Sequence, residues 1–398
     1  MSRFFPSLWL SPFRPFFLLG ALYGPLLMVS WIPLYTGLLP GHIAQLNGLP
    51  TLWHQHEIVF GFSTAIIFGF ILTALPSWAD TEEVSVPGLS LLVVSWILGR
   101  LAVLSSTVLP LPLVAALDLA FPLMFLWVVG PGLLQIRYRI SLGLILITAG
   151  FIAGNVCYYL GAAIEDPQLR QQGLRLGLYA MIFHCSVTVG ILAPIFTENA
   201  LLEKGKPENI GHIATLEWLS ALSIIALAIA DITGASSLIN GGIALISGLL
   251  HGVRLCRWRS FQVLDTAIVW VLHAGYFWLL AALLLRAMES FGLAVGTESW
   301  VHAFTVGGFG LMSMGFMTRV TLRHTGRELC PHPAMVFAYY CLATAALVRI
   351  AVPIASLGQG FLVLSALLWV IPYVIYLALY GRMLLAPSLP ETGISRVP

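Results

Sequence analysis

The sequence is poor in charge. Only 9% of its 398 residues are Asp, Glu, Lys or Arg, whereas 59% are hydrophobic. Soluble domains carry about 25% charged residues, so this composition excludes a soluble fold and predicts a polytopic membrane protein. The net charge of +2 is small and the basic residues are dispersed along the chain. A nucleic-acid-binding protein would gather them into a basic patch, so no nucleic-acid partner is expected.

Cysteine is also scarce. The 5 cysteines are scattered, and no two of them form a C-x-x-C pair. This spacing argues against a disulfide framework and against a zinc site built from thiolates. The first residues, MSRFFPSLWLSPFRPFF, lack a separate short apolar core that ends at a small-residue cleavage site. They therefore do not indicate a removable signal peptide.

Long hydrophobic runs, in contrast, fill the chain. A membrane-spanning helix needs about 20 mostly apolar residues, and by this rule the sequence predicts about twelve spans. The predicted spans are 15–36, 55–78, 87–107, 110–134, 140–163, 174–196, 212–232, 236–253, 263–285, 299–318, 334–353 and 359–381. The segments between them are short and carry loop residues, and none is long enough for a second domain. We therefore expect an all-α fold with a single transmembrane domain over residues 1–398.

The placement of Lys and Arg predicts the orientation of these spans. With the N-terminus in the cytoplasm and alternating spans, most of the 19 basic residues fall on the cytoplasmic side. This is the distribution that the positive-inside rule describes. Both termini are therefore predicted to be cytoplasmic, and the arginine-rich stretches HGVRLCRWRS and TRVTLRHTGR mainly set topology and meet anionic lipid.

Histidines recur inside the predicted spans. Their predicted depths fall into an outer group (His54, His56 and His302), a central group (His184 and His273) and a cytoplasmic group (His251 and His324). An ionisable side chain in hydrocarbon is costly and often marks a functional site, although one histidine alone is as readily a packing residue. Seven histidines with few intramembrane carboxylates favour imidazole ligation of haem iron or copper. The outer and central groups supply the candidate metal ligands.

The stretch WHQHE at residues 53–57 constrains which residues share a ligand. His54 and His56 point about 200° apart on a helix of 3.6 residues per turn, so a regular helix cannot direct both at one iron. Of the two, His56 is favoured as the iron ligand. Glu57 shares a face with His54 and is the candidate catalytic residue. It would either accept a hydrogen bond from a histidine that binds the metal or relay protons. The alternative is a first-turn carboxylate stabilised by the helix dipole.

A shared pattern connects the second and tenth spans. His56, Gly61, Gly69 and Phe70 have the same spacing as His302, Gly307, Gly315 and Phe316. The pattern is either a remote internal repeat or a coincidence in glycine-rich helices, whose small residues favour close packing. A repeat would provide two helices with histidines at similar depth, as a pair of axial ligands requires.

Several blocks of the sequence resemble the NnrS family. The most specific are WHQHE and MTRVTLRHTGR, and SPFRPFFLLGALYG, HGVRLCRW and VWVLHAGYFWLLAALLL also match, in the same order along the chain. The resemblance implies a polytopic protein of the bacterial inner membrane that contains haem, with copper as a further candidate, and that is connected with nitric oxide metabolism and nitrosative stress. By position, it implies site roles for His54, His56, Glu57, His251, His273, His302 and His324.

The chain also departs from the family pattern. The stretch GILAPIFTEN at residues 190–199 lacks an arginine that family members often carry there, and His184 has no assigned counterpart. Any role of that arginine in holding a haem propionate is therefore in doubt for this chain. Arg254 and Arg319 are candidates for pairing with propionates, because arginine binds carboxylates in a bidentate manner.

Two main hypotheses of function follow. The first is a protein with one or two histidine-ligated haem b groups, which binds nitric oxide or a related small molecule and uses a second haem or copper and an unknown electron donor. On this hypothesis the protein is a candidate oxidoreductase. The second is a transporter whose intramembrane histidines are substrate or proton sites. A third, a structural partner of a reductase, predicts that the histidines are dispensable.

Overall fold

A computed structural model describes residues 6–38, 50–135 and 139–390. Within these ranges every regular element is a helix. Backbone groups in hydrocarbon cannot bond to water, and a helix satisfies all of them within one segment. The predicted all-α class is therefore confirmed for the described part of the chain.

The long helices follow the predicted spans in order. They are α1 (Phe13–Tyr35), α2 (Pro50–Trp78), α3 (Val86–Leu104), α4 (Leu111–Gln135), α5 (Arg139–Ala163), α6 (Pro167–Glu203), α7 (Ala214–Ile232), α8 (Ser237–Arg257), α9 (Ala267–Ser290), α10 (297–324), α11 (Pro333–Ile354) and α12 (Gln359–Leu385). Among the described residues, 11 helices are long and apolar enough to cross a membrane. The protein is thus a multi-pass membrane protein.

Helix α10 is the one long helix outside that set. It comprises Thr297–His302, a π-helical turn at Ala303–Phe309 and the segment Gly310–His324. Its glycines, histidines and arginines lower its hydropathy, but most side chains of its last segment are buried in the protein. A helix that neighbouring helices cover does not need an apolar surface toward lipid, so the span predicted at 299–318 is still a long helix of the bundle.

Burial identifies the helices at the centre of the bundle. In the most apolar part of each helix, 83% of residues are buried in α2 and 78% in α6, against 28% in α7. The aromatic ring of Phe70 on α2 lies 4.8 Å from that of Phe316 on α10 and 6.2 Å from the imidazole of His184 on α6. The second, sixth and tenth helices, each with an intramembrane histidine, therefore meet in the core.

Helix α6 is longer than its predicted span, 174–196. It has 37 residues, and the Asp166 side chain caps its start by accepting from the backbone N–H groups of Gln168 at 2.9 Å and Leu169 at 3.1 Å. Such a cap satisfies N–H groups that have no partner within the helix. The polar first turns lie outside the hydrophobic run, which is why hydropathy alone placed the start too late.

Candidate functional site

Two π-helical turns interrupt the central helices immediately after a histidine. The turn Glu57–Phe62 follows His56 in α2, and the turn Ala303–Phe309 follows His302 in α10. Such turns are rare and frequently occur at functional sites. The pattern shared by the two stretches of sequence therefore has a counterpart in the backbone.

The histidine pair, which we define as His54 and His302, lies at the predicted outer end of these two helices. The two side chains are close enough to interact electrostatically. Nδ1 of His302 lies 2.7 Å from the carbonyl oxygen of Glu298, and donation to that oxygen leaves the lone pair on Nε2. A backbone hydrogen bond of this kind orients many metal-binding histidines.

Two buried polar atoms at the histidine pair have no partner among the residues that the structure describes. They are Nδ1 of His54 and Nε1 of Trp31. The ring of Trp31 stacks on the imidazole of His54 with centroids 4.4 Å apart. Buried polar groups are normally hydrogen-bonded, so unpartnered ones at one place call for an explanation such as an ion or ligand.

His56 faces a different set of groups, the ionic cluster, which comprises His56, Glu57, Arg100, Asp118 and Asn155. Nδ1 of His56 lies 2.9 Å from Oε1 of Glu57, and Nε2 lies 3.1 Å from Oδ1 of Asn155 and 3.3 Å from Oδ2 of Asp118. Both ring nitrogens therefore face oxygen acceptors, and a histidine that donates from both has no lone pair for a metal. His54 and His56 diverge, as their two-residue spacing predicts.

Arg100 holds the two carboxylates of the ionic cluster together. It donates to Glu57 at 2.7 Å and also pairs with Asp118, and its own side chain is 7% exposed. Asp118 accepts further bonds from Asn155 at 2.8 Å and from the Tyr159 hydroxyl at 2.9 Å. Buried charges are tolerated when they are paired and hydrogen-bonded in this way.

The Glu57 carboxylate contacts His56 and Arg100. It stands at the first residue of the π-helical turn. The Tyr23 hydroxyl is a further donor to Glu57. Sequence analysis singled out Glu57 but did not place Arg100, Asp118, Tyr23 or Asn155 beside it. The signal that could have found them is the alternation of charge in three neighbouring spans, with Arg100 between Glu57 and Asp118.

The remaining predicted histidines contact other side chains of the protein. His184 interacts with Thr188 at 3.3 Å. Nε2 of His251 lies 2.8 Å from the Ser186 hydroxyl, and His273 lies between the hydroxyls of Thr197 at 2.9 Å and Ser260 at 2.8 Å. His324, at the end of α10, packs on Phe13 with centroids 5.6 Å apart. Within the described ranges, no three His, Cys, Asp or Glu side chains are arranged to hold a metal ion.

The two arginines predicted to bind propionates have partners within the protein. Arg254 is 2% exposed, pairs with Glu217 and donates to the Tyr276 hydroxyl at 2.7 Å. The guanidinium of Arg319 lies 3.6 Å from the ring centroid of Phe196, a cation–π contact. Phe196 belongs to the stretch GILAPIFTEN, so Arg319 brings a positive charge to the segment that lacks an arginine of its own.

Gly190 leaves room for Arg254, and this makes a test of the packing. A Cβ atom at Gly190 would lie 1.5 Å from Nη2 of Arg254, whereas a Cβ at Gly242 on α8 would meet no atom within 4 Å. Because several bonds fix the guanidinium, we expect Gly190→Ala to lower the melting temperature of the purified protein strongly. Gly242→Ala is the matched control and should leave it unchanged. Equal melting temperatures for the two variants would contradict this packing.

These observations define the class of the protein: a multi-pass membrane protein with histidines on its central helices, a histidine pair among unpartnered polar atoms, and a buried ionic cluster. The family model of the NnrS protein matches residues 7–388, nearly the whole chain. The chain therefore belongs to the NnrS family, and this membership indicates a membrane protein connected with nitric oxide. No curated protein matches the chain significantly.

Proposed function

We propose that the protein binds haem b at the histidine pair and binds nitric oxide there, in the inner membrane of a bacterium. The observation that carries the proposal is a pair of stacked rings whose buried nitrogens have no partner among the described residues: Nδ1 of His54 and the indole N–H group of Trp31. Imidazole nitrogen is a ligand of haem iron, and N–H donors suit the carboxylates of its propionates.

The side chains around the pair fit such a group. Glu298 fixes the ring of His302, and Trp31 packs against the ring of His54. Arg349 donates to Glu298 at 2.7 Å and adds a positive charge next to both histidines. These residues would hold and orient the haem, and the haem would supply an iron that binds nitric oxide in its ferrous state.

Position in the membrane supports nitric oxide as the ligand. Nitric oxide is small and apolar enough to enter the bilayer, and His54 lies near the start of α2, a helix long and apolar enough to cross the membrane. The ionic cluster begins two residues further along α2, where it fixes the start of the π-helical turn. On this proposal, His56 and Glu57 position the π-helical turn that follows His54.

The direct test is optical spectroscopy of the full chain, expressed with a haem supply and purified into lipid nanodiscs. We expect a Soret band, a pyridine haemochrome typical of haem b, and a shift of the Soret band when nitric oxide is added to the reduced protein. Folded protein without a Soret band would overturn the proposal. If the folded protein had no Soret band but took up a labelled substrate in proteoliposomes, the transporter hypothesis would be favoured.

A further inference from the structure

A polar cavity lies away from all the residues predicted from the sequence. Its volume is about 320 Å³, and it is an open pocket between the ends of α6, α7, α8 and α9 at the predicted outer end of the bundle. The side chains that matter for its chemistry are Arg175, Asp231, Asn240, Arg286 and Glu289. Ligand sites usually measure about 300–1,000 Å³, so this cavity has room for a small ligand.

The charged groups of the cavity balance one another. Oδ1 of Asp231 accepts from Arg175 at 2.8 Å and from Arg286 at 2.6 Å, and Arg286 also donates to Glu289 at 2.7 Å. Two guanidinium groups thus face two carboxylates. A site without net charge does not favour a bare anion or a bare cation, but its separated charges suit a molecule that carries both signs.

Two side chains of the cavity wall have unmet hydrogen-bonding capacity. Asn240 is 5% exposed, and its Nδ2 donates to the carbonyl oxygen of Ala235 at 2.8 Å, which fixes the orientation of the amide. Its Oδ1 and the Nε of Arg286 are buried without a partner in the described part of the chain. The wall therefore contains one acceptor and one donor that no described residue satisfies.

We propose that this cavity binds a small zwitterion with one ammonium and one carboxylate group, of the amino acid class. The ammonium group would lie toward Asn240, Asp231 and Glu289. The carboxylate would lie toward Arg175 and toward Ser237 in the first turn of α8, where the helix dipole favours negative charge. This site is separate from the proposed haem site.

The cavity nevertheless lies next to the start of α10, two residues before His302. The Tyr179 hydroxyl donates to Oδ2 of Asp231 at 3.1 Å, and the Tyr179 ring stacks on Trp300 with centroids 6.2 Å apart. The guanidinium of Arg286 lies 5.6 Å from the Trp300 ring centroid. A zwitterion in the cavity would thus be separated from the start of α10 by one layer of side chains.

The test measures ligand-dependent thermal stability of the full chain in nanodiscs. The probes are an equimolar mixture of the twenty common amino acids, then each amino acid alone, with acetate and methylamine as carriers of a single charge. A molecule that binds only the folded state raises the melting temperature. We expect the mixture and at least one amino acid to do so, and acetate and methylamine to have little effect.

Variants localise the binding. Arg175→Gln is expected to weaken binding about tenfold, a loss of about 1.4 kcal/mol, while Arg286 still pairs with Asp231. Ala235→Phe should narrow the cavity without removing a charge. Arg259→Gln, at the opposite end of α8, is the matched control. The proposal would be overturned if no amino acid raised the melting temperature, or if acetate raised it equally. It would also be overturned if Arg175→Gln, Ala235→Phe and the control bound the amino acid with equal affinity.

Discussion

Replacing His302 by Ala is expected to lower the haem content of the folded protein about tenfold or more. Loss of a residue that only hydrogen-bonds to a metal ligand typically lowers metal affinity 10–100-fold, so loss of the ligand itself should cost at least as much. His54→Ala should have the same effect, since its unpartnered nitrogen is the other half of the proposed pair. Pyridine haemochrome per mole of monodisperse protein measures the result and separates loss of haem from loss of fold.

Two control variants test whether the loss of haem is specific to His54 and His302. His212 is an exposed loop residue, so His212→Ala should retain its haem. His56→Gln addresses the residue that the sequence favoured as iron ligand. We expect it to reduce the yield of folded protein by disturbing the ionic cluster, while the folded fraction keeps its Soret band. If the His56 variant lost haem and the His54 variant kept it, the haem would have to be reassigned to the His56 side of the helix.

The largest effect on stability is expected for Arg100→Met. The substitution leaves Glu57 and Asp118 buried without their shared cation, and breaking a buried ion pair in this way costs about 3–5 kcal/mol. The matched control is Arg259→Met, because Arg259 is 54% exposed and lies 3.6 Å from a Glu208 that is also exposed. Exposed pairs contribute about 0–1 kcal/mol. Melting temperatures from fluorescence-detected size exclusion would compare the two variants.

A compensating change tests the electrostatic explanation. Adding Asp118→Asn to Arg100→Met removes one of the two uncompensated carboxylates, so the double variant should be more stable than Arg100→Met alone. A double-mutant cycle gives the interaction energy between the two positions. If both single variants had the melting temperature of the wild type, or if their effects on stability were simply additive, Arg100 would have no special role in neutralising the carboxylates.

The sequence predicts the helices well because a hydrophobic run long enough to cross a bilayer has few alternatives to a helix, which satisfies all of its backbone hydrogen bonds. It also predicts the divergence of His54 and His56 from two-residue spacing alone. The exact ends of helices are less predictable: the start of α6 depends on the cap at Asp166, a local hydrogen bond that hydropathy does not register.

The partners of the site residues could not be predicted from one sequence. Arg100, Asp118 and Asn155 come from three different helices, and nothing in their spacing shows that they face His56. The π-helical turn that begins at Glu57 was not predicted either, because sequence reasoning assumed a regular helix of 3.6 residues per turn. The cavity at Asp231 was missed for a similar reason, since its charges come from helices that are neighbours only in the folded bundle.

The ionic cluster also bears on how the chain enters the membrane during synthesis. A charged residue within an apolar helix is costly to insert, and the cluster contains three in consecutive helices. Their signs alternate in the order of translation: Glu57 on α2, Arg100 on α3 and Asp118 on α4. Each of α3 and α4 therefore brings the counter-charge of the helix made before it, and no two consecutive helices of the three carry cluster charges of the same sign.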